Sequence, residues 1–480
     1  MGSMDELVLG RTASGINAKL LDRLQDFRIH AALWAGTSYL LGKILQLSFF
    51  SYLAAALYFL FVVGSFSVAK SGTRKILSAV ALFAVLSLTF GDLTLGGILH
   101  GFSRASFFAA FFPIMGLMQE CGTNSKAVRS SAEWLTSLSP TKFIGALHAA
   151  VHVMSIFLGA GALGFIHSML PQNAAGDNPA LQEKWDMACL YSILRGNLTA
   201  FSWSPTSTTF AVLLPLFPEV RWADISLESL VLSLALIVFS FVAVLLGLKG
   251  VHASELSYEK GTEHSAKRLL PLAGILILLL LAAAVTMWGL PHLRLLTAVL
   301  TVVPLFSAFW LFSQYSRLSY KAGLAGVKNV LRGYVRNSVP KQTNVILILG
   351  AVVFLGCVLD AEITPGETFD FLRDVDISGN VLLLLSGLGI VVLSYFGLHT
   401  MLVIGIVAGM FGDIEMFNVS ASTIVIALSL ARVLGSSLNG LVGIMIITAQ
   451  LGDISVQRLR KGNYLFVFMG CVLYCLWLLV

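Results

Sequence analysis

The sequence predicts an all-α polytopic membrane protein, with about 11 transmembrane helices plus two re-entrant helical hairpins in an inverted-topology repeat. Three observations predict it. Of 480 residues, 57% are hydrophobic and 12% are charged, roughly half the charged share of a soluble domain. Apolar runs of about 20 residues recur along most of the chain, each long enough to cross the roughly 30 Å hydrocarbon core as a helix. The basic residues gather in the loops between these runs, as the retention of positive charge on the cytoplasmic side requires. A helix satisfies its own backbone hydrogen bonds, which is why lipid tolerates it.

The elements follow in order. Residues 1–29 form a polar cytoplasmic N-terminal segment, in which Met1-Gly2-Ser3 ahead of Met4 reads as a cloning remnant. A first half, 30–248, carries candidate spans at about 30–46, 47–68, 75–100, 103–121, 144–169 and 227–248. Linking spans at 269–289 and 293–312 lie with basic cytoplasmic loops in 249–342. A second half, 343–480, carries spans at 343–359, 379–412 and 464–480. The run 379–412 is long for one helix and has a break point near Gly397. Two further apolar segments, 187–217 and 421–450, are each interrupted midway by small and polar residues.

Charge decides the topology. Twenty-three of the 31 Lys and Arg residues fall in the N-terminal tail and the loops 69–75, 122–143, 249–268, 313–342 and 451–463. If 187–217 crossed the membrane after a crossing at 144–169, one of the loops 122–143 and 249–268 would lie outside. A segment that enters and returns keeps both cytoplasmic. The same parity makes 421–450 re-entrant, provided 379–412 is a single span; a split 379–412 followed by a crossing at 421–450 satisfies it equally. Non-helical backbone at membrane depth survives only inside protein or along a wet cavity, so the interrupted tips are functional candidates.

The halves repeat weakly. Gly116 to Glu120 aligns with Gly356 to Asp360, His152 and Met154 with His399 and Met401, and Arg195 with Arg432, in one order and at offsets of 237 to 247. The first members lie on segments running opposite to the second, the arrangement of an inverted-topology repeat with a site at the repeat interface.

The candidate site residues follow from these positions. Ser204, Pro205, Thr206, Ser207 and Thr208 form the first tip: proline withholds a helical N–H, and hydroxyls can satisfy freed backbone or coordinate a small cation such as sodium. A proline kink healed by its neighbours is the competing reading. Ser436, Ser437 and Asn439, between Gly435 and Gly440, form the second tip. Arg195, with Asn197 beside it, and Arg432 lead into the tips. A guanidinium at membrane depth costs at least about 2.5–3.5 kcal/mol and so needs a partner, which a bidentate anion would be; a structural pair or an interfacial position are the alternatives. His152 and His399 are candidates for proton coupling, against the commoner role of a satisfied packing histidine. Asp92, Glu120 and Asp360 fall at span ends and read as solvated. Cys121, Cys189, Cys357, Cys471 and Cys475 read as packing residues. No phosphate loop, dinucleotide fingerprint or zinc spacing stands in a credible context, and nothing points to a nucleic-acid partner or an organic cofactor.

Two inverted halves, each with an interrupted Ser/Thr/Asn-rich segment, resemble the ion transporter superfamily, which includes divalent-anion/sodium symporters, arsenite and sodium/proton antiporters, and the membrane subunits of tripartite periplasmic transporters. Trp203-Ser204-Pro205-Thr206-Ser207-Thr208-Thr209 and Gly397-Leu398-His399-Thr400-Met401 are similar to stretches in such proteins. The resemblance covers residues 75–480 as architecture. It implies a scaffold domain, a moving transport domain, elevator-type alternating access and a homodimer. Two features depart from the dicarboxylate branch. Its Ser-Asn-Thr tips are not matched literally, and its first hairpin enters from the cytoplasm, whereas the charge count brings 187–217 in from outside.

The expectation is a secondary transporter of a small, organic or inorganic anion, coupled to sodium or protons, in a bacterial-type inner membrane with its N-terminus cytoplasmic. The alternatives are a polytopic membrane enzyme of acyl- or glycosyl-transfer type using His152 or His399, which would cluster its polar residues on one side, and a channel, which would show a continuous polar pore.

Overall fold

The computed structural model describes residues 25–123, 138–168, 174–249, 270–316, 319–362, 378–411 and 419–479, with single positions between them. The expectations for most of the N-terminal segment and for the centres of loops 122–143 and 249–268 lie outside the described residues. All elements among the described residues are helical. Their apolar character makes the chain a multi-pass membrane protein. By length and composition, seven helical segments can cross a membrane, or eight if the pair Val456–Gly462 and Tyr464–Leu479, bent by 47°, is one span. Among the described residues, the shorter apolar helices within 277–289, 379–395 and 400–410 fall below that length.

The chain divides into two compact units. The first comprises Met1–Gly116 and Leu324–Glu362. Its helices are α1 (25–45), α2 (Ser48–Ser65), α3 (Ser71–Phe90), α4 (Leu95–Ala105) and the start of α5 (Phe107–Thr123). The expected span 75–100 is thus two helices. The break between them is held by Glu362, whose carboxylate accepts from the N–H groups of Asp92 and Leu93 at 3.1 Å. A β-carbon at Gly91 would displace that carboxylate.

The second unit comprises Leu117–Gly323 and Ile363–Val480. In order after α5 come α6 (Pro140–Leu158), α7 (Gly161–His167), α8 (Pro179–Ala200), α9 (Thr208–Leu216), α10 (Trp222–Gly247), α11 (Leu270–Gly289) and α12 (Leu295–Tyr315). Helices α13 (Tyr320–Asn337) and α14 (Thr343–Glu362) follow, mostly in the first unit. There α14 packs on α3 and α4 around Phe354, whose ring lies 4.7 Å from that of Phe102. The second unit resumes with α15 (Gly379–Tyr395), α16 (Thr400–Met410), α17 (Ala421–Leu438), α18 (Gly443–Leu451), α19 (Val456–Gly462) and α20 (Tyr464–Leu479).

Helix partners in this unit recur in two parallel sets. Helix α6 lies along α7 and α8, and α15 lies along α16 and α17. Helix α9 packs on α16 and α17, while α18 packs on α7 and α8. Helix α10 covers α8, α20 covers α17, and α8 meets α17.

This pattern bears on the expected hairpins. The interruptions expected in 187–217 and 421–450 are present, at Phe201–Ser207 and Asn439–Val442. However, α8 does not lie along α9, nor α17 along α18; each second arm packs on elements of the other half. Consecutive helices that do touch include α6 with α7 and α15 with α16. Each turns at a glycine in the left-handed region, Gly159 at φ +52° and Gly397 at φ +94°, a conformation that L side chains rarely adopt. The expected single spans 144–169 and 379–412 are therefore both broken. The condition that made 421–450 re-entrant, an unbroken 379–412, is not met.

Candidate functional site

The site is built from two interrupted helices, both in the second unit. Helix α8 ends at Ala200 because the chain turns through Phe201–Ser207, where Pro205 can supply no N–H. Helix α9 restarts with Ser207 as its N-cap, the hydroxyl accepting from Phe210 N–H at 3.4 Å. Across it, α17 ends at Leu438, and Asn439 closes the end: its Oδ1 accepts from Leu441 N–H at 2.9 Å, and its Nδ2 donates to the Leu398 carbonyl at 2.6 Å.

Arg432, on α17, reaches the first break. It is 8% exposed. Its Nη1 donates to Thr209 Oγ1 at 2.5 Å, its Nη2 donates to Thr208 Oγ1 at 2.6 Å, and its guanidinium lies 4.6 Å from the centre of the Phe201 ring. Ser429, one turn earlier, donates to the Ser202 carbonyl at 3.2 Å. Arg432 Nε is buried without a partner, and no carboxylate among the described residues lies within ion-pair distance. The hydroxyls neutralise none of its charge.

Arg195 has a different environment. Its Nε donates to Asn463 Oδ1 at 2.9 Å and its Nη2 to the Gly462 carbonyl at 2.7 Å. It lies against the rings of Tyr191 and Phe466. Both acceptors belong to the junction of α19 and α20. The two arginines, equivalent in the sequence, are thus separated: Arg432 faces replaceable hydroxyls, and Arg195 faces the backbone and an amide of its own fold.

The first break is anchored to α6. Thr206 Oγ1 donates to the Ile156 carbonyl at 2.6 Å and lies 2.8 Å from Ser204 Oγ. Trp203 Nε1 donates to His152 Nε2 at 2.7 Å, and His152 Nδ1 lies 3.1 Å from Thr199 Oγ1. Because Trp203 can only donate, His152 Nε2 must be an acceptor. A proton there would set N–H against N–H, so this geometry suits the neutral ring. His399 precedes α16, with Nδ1 buried and unpartnered. His148, which the sequence reading passed over, is 0% exposed and bridges the Ile144 carbonyl and Ser240 Oγ.

Asn197 is fully buried on α8. Its Nδ2 donates to Ser155 Oγ at 2.7 Å and to the Gly159 carbonyl at 2.8 Å, and its Oδ1 has no partner. Asn439 does the same at the other turn, to Leu398 and, at 3.4 Å, to Thr400. One asparagine per half therefore ties a glycine turn to an interrupted helix. Among the described residues no hydrogen bond joins Ser204–Thr208 to Ser436–Asn439; Arg432, one turn before the second tip, bonds Thr208 and Thr209. Among the candidate residues, the buried polar atoms without a partner are Arg432 Nε, Arg195 Nη1, Asn197 Oδ1 and His399 Nδ1. No group of three or more His, Cys, Asp or Glu among the described residues could hold a metal ion.

Thr209, Trp203, His148 and Asn463 were missed as site residues. Thr209 and Trp203 flank the chosen run, and their hydroxyl and indole N–H were the available signal; His148 and Asn463 stand in no motif.

No family model matches this chain, and no curated protein does. Solved structures do. The YdaH transporter of Alcanivorax borkumensis superposes with a TM-score of 0.55 over 84% of this chain and 96% of that one, at 11% identity. The chain shares its fold. Neisseria gonorrhoeae MtrF, described as illuminating a class of antimetabolite efflux pumps, superposes with a TM-score of 0.50 over 85% and 95%, at 12% identity. The chain thus has the fold of membrane transporters along most of its length.

Proposed function

We propose that this protein is a secondary transporter of a small organic anion. One observation carries the reading: among the described residues no carboxylate pairs with the buried guanidinium of Arg432, which points two donors at hydroxyls of the opposite half. That fork matches a carboxylate bidentately, and the Phe201 ring and half-buried Trp203 offer aromatic faces beside it. An aromatic carboxylate therefore fits best. The neighbouring efflux pump makes export the favoured direction. The enzyme alternative is weakened by His152, whose two ring nitrogens are both engaged.

The repeat is re-drawn by one element. Residues 140–167 and 379–410 are the re-entrant hairpins, and 179–216 and 421–451 are crossing helices broken at mid-membrane. Loops 122–143 and 249–268 remain cytoplasmic, so the charge argument survives intact. The first hairpin now enters from the cytoplasm, which removes the departure from the dicarboxylate branch of the ion transporter superfamily. The matched helix partners support an inverted-topology repeat. Both broken helices and both hairpins belong to one compact unit, as elevator-type movement of the site requires. Sodium is the favoured coupling ion, held at Asn197 Oδ1 beside the Gly159 turn, because His152 is held neutral. A homodimer in a bacterial-type inner membrane, with its N-terminus cytoplasmic, completes the proposal.

The test is a thermal-shift screen of the purified protein with acetate, succinate, citrate, benzoate and phosphate, with and without sodium, in wild type and Arg432→Gln. The expected result is stabilisation of wild type by an organic anion, increased by sodium and absent in the variant. Stabilisation of both proteins alike, or of neither by any anion, overturns the reading.

A further inference from the structure

Asn463 is 0% exposed and lies at the bend between α19 and α20. It links groups from both halves. Its Oδ1 accepts from Arg195 Nε on α8, and its Nδ2 donates to the Ser437 carbonyl on α17 at 2.9 Å. The Ser437 carbonyl is one that a helix end leaves without its partner four residues on. In an unbroken helix it would accept from Leu441 N–H, but that group donates to Asn439 Oδ1. The side chain of Asn463 takes its place.

The turns on either side of α19 are fitted to α8. Before α19, a β-carbon at Gly452 would meet Leu190; at its far end, beside Asn463, a β-carbon at Gly462 would meet the Tyr191 hydroxyl. Arg195 fixes the same loop by its bond to the Gly462 carbonyl. A continuous polar chain, Arg195 to Asn463 to Ser437, therefore runs from the first interrupted helix to the start of the second interruption.

We propose that Asn463 is a positioning residue: it transmits the position of α8 to the second break and so holds Ser436, Ser437 and Asn439 in register with the first. This rests on the reading of the two breaks as one transport site. Arg195 acts through Asn463 and does not meet the transported anion.

Hydrogen exchange of the full-length protein in detergent tests it without any substrate. Asn463→Asp keeps an acceptor for Arg195 but replaces the donor to Ser437 with an oxygen. Arg195→Lys keeps the charge but loses the fork. Asn463→Gln keeps both a donor and an acceptor. In the first two, amides 439–442 should exchange about tenfold faster, the effect of one lost hydrogen bond on a local opening, while amides 201–209 keep wild-type rates. The Arg195→Lys effect is diagnostic, because that side chain touches none of the accelerated residues. Asn463→Gln should restore most of the protection. Unchanged rates at 439–442 in folded Arg195→Lys overturn the proposal, even if Asn463→Asp does not fold. Acceleration spread over the whole chain also overturns it, because Asn463 would then support global stability alone. A failed anion screen would leave all these rates untouched, so the two readings fail separately.

Discussion

Arg432 and Thr209 come from opposite halves of the chain and meet at 2.5 Å, with the Thr209 hydroxyl in turn donating to the Phe201 carbonyl at 2.9 Å. The guanidinium therefore bonds a hydroxyl that already secures the first break. Arg432→Gln should lower anion affinity about tenfold or more, since a charge-assisted bond contributes roughly 1.5–3 kcal/mol, while the protein still folds. Titration calorimetry with the anion identified by thermal shift measures this. Undiminished binding would return Arg432 to a structural role.

Arg195→Gln should behave in the opposite way. It removes bonds to Asn463 and Gly462, leaving buried acceptors whose desolvation costs roughly 1–3 kcal/mol each. The unfolding temperature should drop, and the affinity of the protein that remains folded should change far less than in Arg432→Gln. A stable Arg195→Gln protein that has lost binding would contradict the division of roles between the arginines.

Cysteine labelling separates the two hairpin assignments. With hairpins at 140–167 and 379–410, a cysteine at Asp177 is cytoplasmic and one at Ser420 is external. With hairpins at 187–217 and 421–450 both positions exchange sides. A membrane-impermeant maleimide added to intact cells should modify Ser420→Cys and spare Asp177→Cys. A cysteine at Lys328 is cytoplasmic in either case and serves as the control.

His152→Gln should leave the pH profile of transport unchanged, because His152 is locked as an acceptor by Trp203. Uptake or efflux of the identified anion, assayed across pH in proteoliposomes, checks it. A shifted profile in a folded variant would restore proton coupling to His152.

Gly196 packs α8 tightly on α6: a β-carbon there would lie 2.9 Å from the His148 carbonyl oxygen. A backbone atom cannot swing aside, so Gly196→Ala should destabilise by about 1–3 kcal/mol, the usual cost of overpacking. Thermal unfolding would register it; a neutral result would mean that α6 and α8 slide freely past one another.

Much of this architecture was legible in the sequence, and for identifiable reasons. Membrane class follows from apolar run length, and the interruptions at 201–207 and 439–442 follow from polar residues inside apolar segments. The location of the turns did not follow. Gly159 and Gly397 are two among 43 glycines, and their left-handed backbones become visible only when folded. Charge parity could not help, because moving each hairpin by one element leaves every basic loop on the same side. The roles of Arg195 and Arg432 were equally hidden: their partners, Asn463 and Thr209, lie more than 200 residues away in sequence, and no local pattern predicts such pairs.

The bond between Asn463 and Ser437 also fixes an order of events during biogenesis. Translation produces α8 and both interruptions before Asn463, so a nascent chain that has just completed α17 still carries an open carbonyl at Ser437 and an unanchored Arg195. Both are satisfied only when the junction of α19 and α20 arrives and seats Gly462 against Tyr191. The hydrogen bonds that join the two breaks can therefore close only after residue 463 has been made, so a chain that ends before it leaves the Ser437 carbonyl and the Arg195 fork without these partners.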